Sequence, residues 1–183
     1  MATSLDTLHF PASTSKKEVL DGVKKYLRSQ DFSIPIQDEE RPWGAYYYID
    51  EIYKKRFAKQ YFPDKDLTAI MDSGLKLTPK FLIVAPNEIL SWQWHERRGE
   101  LWNLVAGQAG YKASPSDVEP ETVISLEQGV TIILPPETRH RLIGTTEETG
   151  EWGIVAEIWS HTDPKNPSNE EDNHRVKDKY ART

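Results

Sequence analysis

From residue 80 to residue 160 the sequence runs as short apolar stretches, each closed by turn formers. Strands are expected near 81–85, 89–95, 100–106, 110–113, 122–125, 130–134, 141–144 and 152–160. Pro86-Asn87, Gly107, Gln128-Gly129, Pro135-Pro136 and the 114–120 segment punctuate them. Strands of this length at this spacing pack as a sandwich or a jelly-roll barrel. The expected fold class is mainly β: a jelly-roll barrel with an N-terminal helix and a polar C-terminal tail.

The helix is signalled upstream. Ser15, with Glu18 three residues later, makes a capping box. Val19, Leu20, Val23 and Leu27, with Tyr26 beside them, recur at helical spacing to about Ser29, and lysines and Arg28 take the other face. Ile34-Pro35-Ile36 is extended and Arg41-Pro42-Trp43-Gly44 turns. An aromatic strand follows at 45–52, where Tyr46-Tyr47-Tyr48 puts rings on both faces. Residues 53–77 are charged, with a short helix expected at 66–71 ending at Gly74; they are a candidate insertion or lid. The chain thus divides into an N-terminal extension (1–40), the barrel (41–165, with the insertion at about 53–77) and a tail (166–183).

At 183 residues the chain can bury a sizeable core as one domain with extensions. Acidic residues outnumber basic ones, 29 to 23, which argues against a general nucleic-acid binder. With no cysteine there are no disulfides and no thiol chemistry, which fits a reducing compartment. The N-terminus lacks the apolar core of a signal peptide, and no run reaches membrane-spanning length. The expectation is a soluble, cytoplasmic protein with neither a nucleic-acid nor a membrane partner.

The chemistry sits in Gln93-Trp94-His95-Glu96-Arg97-Arg98-Gly99-Glu100 and its echo Pro135-Pro136-Glu137-Thr138-Arg139-His140. Gln93 and His95 are two apart and project from one face of a strand. Glu100 follows, and a later strand must bring back His140. One amide oxygen, two imidazoles and one carboxylate suit a single divalent ion such as zinc, iron, manganese, nickel or cobalt.

Gln93-x-His95-x4-Glu100-x6-Gly107 has the form of the first cupin motif, with Gln for its first His. Gly129-x5-Pro135-x-Glu137-x2-His140 has the form of the second, with Glu for its second Gly. Taken with other stretches, the sequence resembles the type II phosphomannose isomerase family of cupins. Arg41-Pro42-Trp43-Gly44 looks like that family's RPWG opening. The run from Val84 to His95 looks like its V-x-P-G-x-x-L-S-x-Q-x-H, and Arg98, Glu100, Trp102, Val105 and Gly107 continue the match. Ile133-Leu134-Pro135 and Thr138-Arg139-His140-Arg141-Leu142 resemble its I-P-x-G-T-x-H-R-L. Glu157-Ile158 resembles its last strand, and Arg175, Asp178, Tyr180 and Arg182 its C-terminal R-x-x-D-x-Y-G-R. The resemblance covers about 41–52 and 78–182. It implies metal ligation by Gln93, His95, Glu100 and His140, one divalent ion per chain with zinc first, and a homodimer.

Several positions depart from the family pattern. Glu96 and Arg97 stand where the family carries a His-rich run, Leu101 replaces a His, and Glu137 and Asn87 replace glycines. Phe81 stands where relatives often carry a base, which leans toward a substrate without phosphate.

The activity implied is aldose–ketose isomerisation of a sugar phosphate such as mannose 6-phosphate, through a cis-enediol. The alternatives are isomerisation of a free sugar of the lyxose or mannose type, or a cupin that binds sugar or metal without catalysis. Such a reaction needs a base near the reacting carbons and positive charge at the developing oxyanion. Candidate catalytic groups are Glu100, Glu157 and Lys80, with Arg141 for the substrate's anion. Arg41, Arg98 and Trp102 are candidates for substrate binding.

Overall fold

The computed structural model describes residues 5–146, 148 and 150–181; Arg182, the last residue of the C-terminal resemblance, lies outside them. Helix α1 (Lys16–Ser29) starts where the capping box places it. Ser15 Oγ accepts from the Glu18 amide, and the Glu18 carboxylate accepts from the Ser15 amide. Val19, Leu20, Val23, Tyr26 and Leu27 form its buried stripe.

The jelly roll expected from the strand spacing forms. The first sheet contains, in spatial order, β1 (Gln37–Asp38), β2 (Gly44–Tyr48), β3 (Leu77–Val84), β10 (Gly153–His161), β5 (Arg98–Ala106) and β8 (Ile132–Leu134). The second contains β11 (His174–Lys177), β4 (Trp92–Trp94), β9 (Arg139–Gly144), β6 (Ala109–Ser114) and β7 (Ile124–Ser125). All these pairings are antiparallel.

Every residue of β3 is buried, because the first sheet is covered on both faces. One face looks into the barrel, where Trp43, Leu82, Val84, Trp102, Leu104, Leu134, Leu142 and Val155 pack together. The other face, with Ala45, Tyr47, Phe81, Ile83, Leu101, Ala156 and Ile158, lies under the helices. Strand alternation therefore splits the Tyr46-Tyr47-Tyr48 run as expected. It also corrects two expectations. Phe81 and Leu101 point at the helices, away from the barrel interior, so neither reports on the substrate.

The 53–77 segment is not a lid. It forms α2 (Lys54–Tyr61) and α3 (Thr68–Asp72). Phe57, Ala58, Tyr61, Phe62 and Leu67 bury against α1 and Phe81 on the helix-covered face. Nor is 166–177 a loose tail. A 3-10 turn at Glu170–Asp172 leads into β11, which pairs with β4. The chain from Asn166 to Lys177 is called the strap below.

Candidate metal centre

Strand register assembles the site. On the first sheet one row of facing residues runs Tyr48, Lys80, Glu157, Trp102 and Ile132 across five strands. The next inward row holds Trp159 and Glu100 as direct partners. On the second sheet Gln93 faces both His140 and Arg175. Lys80, Glu157, Trp102, Trp159, Glu100, Gln93, His140 and Arg175 line one cavity of about 60 Å³ between the two sheets.

At its floor His95, Glu100 and His140 are all buried, and their ligand atoms lie within 4.8 Å of one another. Glu100 Oε1 is 3.0 Å from His95 Nε2, and Oε2 is 3.3 Å from His140 Nε2. Each imidazole uses its other nitrogen on a backbone carbonyl: His95 Nδ1 lies 2.9 Å from the Asp172 oxygen, His140 Nδ1 2.8 Å from the Thr138 oxygen. A carbonyl only accepts, so both rings carry a proton on Nδ1 and turn Nε2 inward. Burial first, with Arg98 adding and Glu100 opposing, pushes the His95 pKa down to about 4, so its ring is neutral. Burial raises Glu100 and positive charge beside it lowers it; the carboxyl is held well below its usual range, with Arg98 Nε donating to Oε1 at 3.0 Å. Two lone pairs and a carboxylate thus face one another, and His140 Nε2 is buried without a hydrogen-bond partner among the described residues. Arg98 supplies a guanidinium to two of these groups, its Nε donating to Glu100 Oε1 at 3.0 Å and its Nη2 lying 3.1 Å from His95 Nε2, and two imidazoles with one carboxylate are a donor set for zinc, iron or manganese. The residues present fit a divalent metal. Gln93 lines the same cavity, its Oε1 accepting from Ser91 Oγ at 2.5 Å.

Glu157 lies beside this cluster. Trp102 Nε1 donates to its Oε1 at 2.9 Å, and Lys80 Nζ is 3.5 Å from its Oε2, which has no hydrogen-bond partner among the described residues. Burial and then the Glu100 charge raise its pKa to about 8, against the pull of Lys80 and Arg98. Lys80 is itself buried, within 5 Å of the rings of Tyr46, Tyr48 and Trp159, and 3.3 Å from Glu170 at the cavity mouth.

The cations expected to bind substrate are already engaged. Arg98 is buried over the Trp159 ring and donates to Glu100 Oε1, Ser168 Oγ, the Asn169 carbonyl and Asn173 Oδ1; its Nη2 also lies 3.1 Å from His95 Nε2. Arg141 borders the cavity, but its Nη1 is held by Glu119 at 3.0 Å. Arg41 lines the cavity with Nε 2.8 Å from Asp38. Trp102 both packs in the barrel core and walls the cavity, edge-on to His140.

Trp159, Glu170, Asn173 and Ser91 also line the cavity and were not singled out from sequence. Parity with Glu157 was the available signal for Trp159. Glu170 and Asn173 sit in a stretch whose polarity reads as surface. Glu96 and Glu137 are exposed at the rim, and neither lines the cavity. Glu137 takes φ +64° and Asn87 φ +62°, conformations that account for glycine at such positions.

No protein-family model and no curated protein matches the chain. Among solved structures, procruciferin, an 11S globulin from Brassica napus, aligns at 10% identity with a TM-score of 0.46, over 70% of this chain and 27% of its own. Vicilin from Corylus avellana (hazelnut) aligns at 14% identity and 0.49, over 76% and 32%. An oxalate decarboxylase aligns at 11% identity and 0.48, over 80% and 30%. The chain thus spans about a third or less of the length of these proteins. Likenesses this distant carry no argument about activity, and the fold description rests on the strand topology itself.

Proposed function

We propose that the protein is a metal-dependent aldose–ketose isomerase acting on a small free sugar through a cis-enediol. The observation that carries this reading is the convergence of two carbonyl-locked imidazoles on one buried carboxylate, with a second carboxyl beside them that keeps one oxygen unpartnered.

His95, Glu100 and His140, with Gln93 as the fourth donor, would hold one divalent ion. When bound, the metal supplies positive charge where the substrate's carbonyl oxygen becomes negative. Glu157 is the base. Its Oε1 is fixed by Trp102, which leaves Oε2 to take the proton from the carbon next to the carbonyl. The C–H electron pair becomes the C=C bond as the carbonyl π pair moves onto its oxygen, the substrate's adjacent hydroxyl proton passes to that oxygen, and Glu157 returns its proton to the former carbonyl carbon as the second oxygen becomes the new carbonyl. Lys80 beside Oε2 steadies the ionised form. Trp102, Trp159 and Tyr46 wall the cavity and exclude water.

A free sugar is favoured over a phosphate ester because Arg41, Lys80, Arg98 and Arg141 each already hold a carboxylate. A phosphate would compete with these carboxylates for the same cations.

The test is metal content by mass spectrometry for the wild type and for His95→Ala/His140→Ala, beside turnover of lyxose and mannose and their phosphates. About one metal per chain, lost in the double variant, with turnover of free sugars, is expected. Turnover confined to phosphorylated sugars would overturn the free-sugar reading. A metal-loaded protein that turns over none of these sugars would leave a binding protein. Absence of metal after reconstitution would sink the mechanism.

A further inference from the structure

The strap reaches His95 through a contact built from both ends of a single residue. Asp172 is buried. Its backbone oxygen accepts from His95 Nδ1 at 2.9 Å. Its carboxylate accepts from the two peptide N–H groups that follow His95: Glu96 to Oδ1 at 3.1 Å and Arg97 to Oδ2 at 3.0 Å. Ser168 Oγ donates to Oδ2 at 2.6 Å and so braces the carboxylate from within the strap.

This geometry differs from a surface clasp. Two hydrogen bonds from consecutive amides fix the carboxylate, and through it the carbonyl, relative to the chain that carries His95. The carbonyl on Nδ1 and the Arg98 Nη2 donor 3.1 Å from Nε2 favour the same tautomer, and the carbonyl fixes the ring's proton on Nδ1. Glu96, Asp172 and His174 also converge on the outside, where Asp172 Oδ2 takes the Arg97 N–H and the Ser168 hydroxyl and Oδ1 takes the Glu96 N–H.

Resting on the metal-dependent reading above, we propose that Asp172 is the positioning residue of the metal centre: it locks His95 in the Nδ1–H form and makes docking of the strap a condition for tight metal binding. Asp172→Asn is the sharp test. An amide has one acceptor oxygen, so its NH₂ would be turned toward the N–H of Glu96 or Arg97, donor against donor, and the carbonyl would move off His95.

Zinc binding is measured by calorimetry on metal-free protein, and the His95 tautomer by two-bond ¹H–¹⁵N correlation spectra of the same samples. In D172N zinc binding weakens by about 10- to 100-fold, the usual effect of losing a partner behind a ligating histidine. Its His95 signals turn from one tautomer to a mixture, with the sheet signature of the circular dichroism spectrum retained. Arg97→Ala is the control. It removes side-chain contacts to Asn166, Pro167 and Asn169 of the strap and a 3.9 Å approach of the Arg97 Nε to Asp172 Oδ1, and leaves both backbone N–H bonds of the Asp172 bridge in place. Its zinc affinity and tautomer stay near wild type. Should D172N not fold, Ser168→Ala removes one brace of the carboxylate and weakens zinc binding in the same sense. Unchanged zinc affinity with an unchanged tautomer in D172N or S168A, or an equal loss in R97A, would overturn the proposal. A wild-type protein that takes up no cation defeats the isomerase reading, while the tautomer spectra still decide whether Asp172 positions His95.

Discussion

Glu157 and Glu100 are neighbouring buried carboxyls whose surroundings separate them. Glu100 faces two imidazoles and stays ionised. Glu157 faces Glu100 and an indole N–H, and takes up a proton far more readily. Two carboxyls in one cavity with opposed environments suit the proposed division, one to hold a cation and the other to move a proton. Glu157→Gln keeps the shape and the indole bond and removes the proton acceptor. Isomerase turnover should fall by about 100- to 10,000-fold with metal content unchanged. Turnover within a few-fold of wild type would remove Glu157 from the mechanism and return Lys80 and Glu100 as the candidates.

At the scale of elements, the first sheet separates stability from chemistry. Its helix-side face is a core shared with α1 and α2, and its barrel face carries the site. Tyr26 on α1 and Tyr61 on α2 share a buried hydrogen bond at 3.0 Å, and Phe57, Tyr61 and Phe81 stack edge to face. Damage on this side should lower stability without touching the metal. Ser15→Ala removes the cap of α1 and should cost about 0.5–2 kcal/mol. Thermal unfolding of the metal-free variant checks the first half of this expectation, and zinc affinity equal to wild type the second. A parallel fall in zinc affinity would show that the two faces are coupled.

At the scale of the whole molecule, the strap makes the fold sensitive to acid. Buried His161 receives the Ser168 amide on Nδ1 at 2.9 Å and meets Thr78 Oγ1 through Nε2 at 2.9 Å. A second proton on the ring would point at the Ser168 N–H. Burial first, then the nearby Lys76 and Arg98 charges, lower the His161 pKa from 6.5 to about 4. Between these values the unfolded chain holds more protons than the folded one, so stability is full above about pH 6.5 and declines as pH falls toward about 4. His161→Asn keeps an acceptor for Ser168 and does not titrate. Urea unfolding of metal-free protein across this window should show a flatter decline than in wild type. An identical decline would assign the acid sensitivity elsewhere, with His95 the next group to replace.

Local pattern carried much of this architecture. The capping box, the apolar stripe of α1, the strand spacing and the two half-motifs are short-range signals, each enforced by backbone geometry within a few residues. His95, Glu100 and His140 were legible as a possible donor set because metal ligation needs particular donors at particular spacings, and the fold brings their ligand atoms within 4.8 Å of one another. The readings that failed were those needing a face or a partner. Phe81 and Leu101 seemed to bear on substrate until strand parity was tied to the two cores. The charges of 53–77 concealed Phe57, Tyr61 and Phe62, whose burial depends on α1 lying opposite. The strap read as a polar tail because its donors and acceptors find their partners some seventy residues back, at Glu96, Arg97 and Arg98. Sequence alone determined which residues could bind a metal. Only the tertiary structure decided which lone pairs face it, because a histidine's tautomer is set by whatever lies behind the ring, and here that is a carbonyl from the far end of the chain.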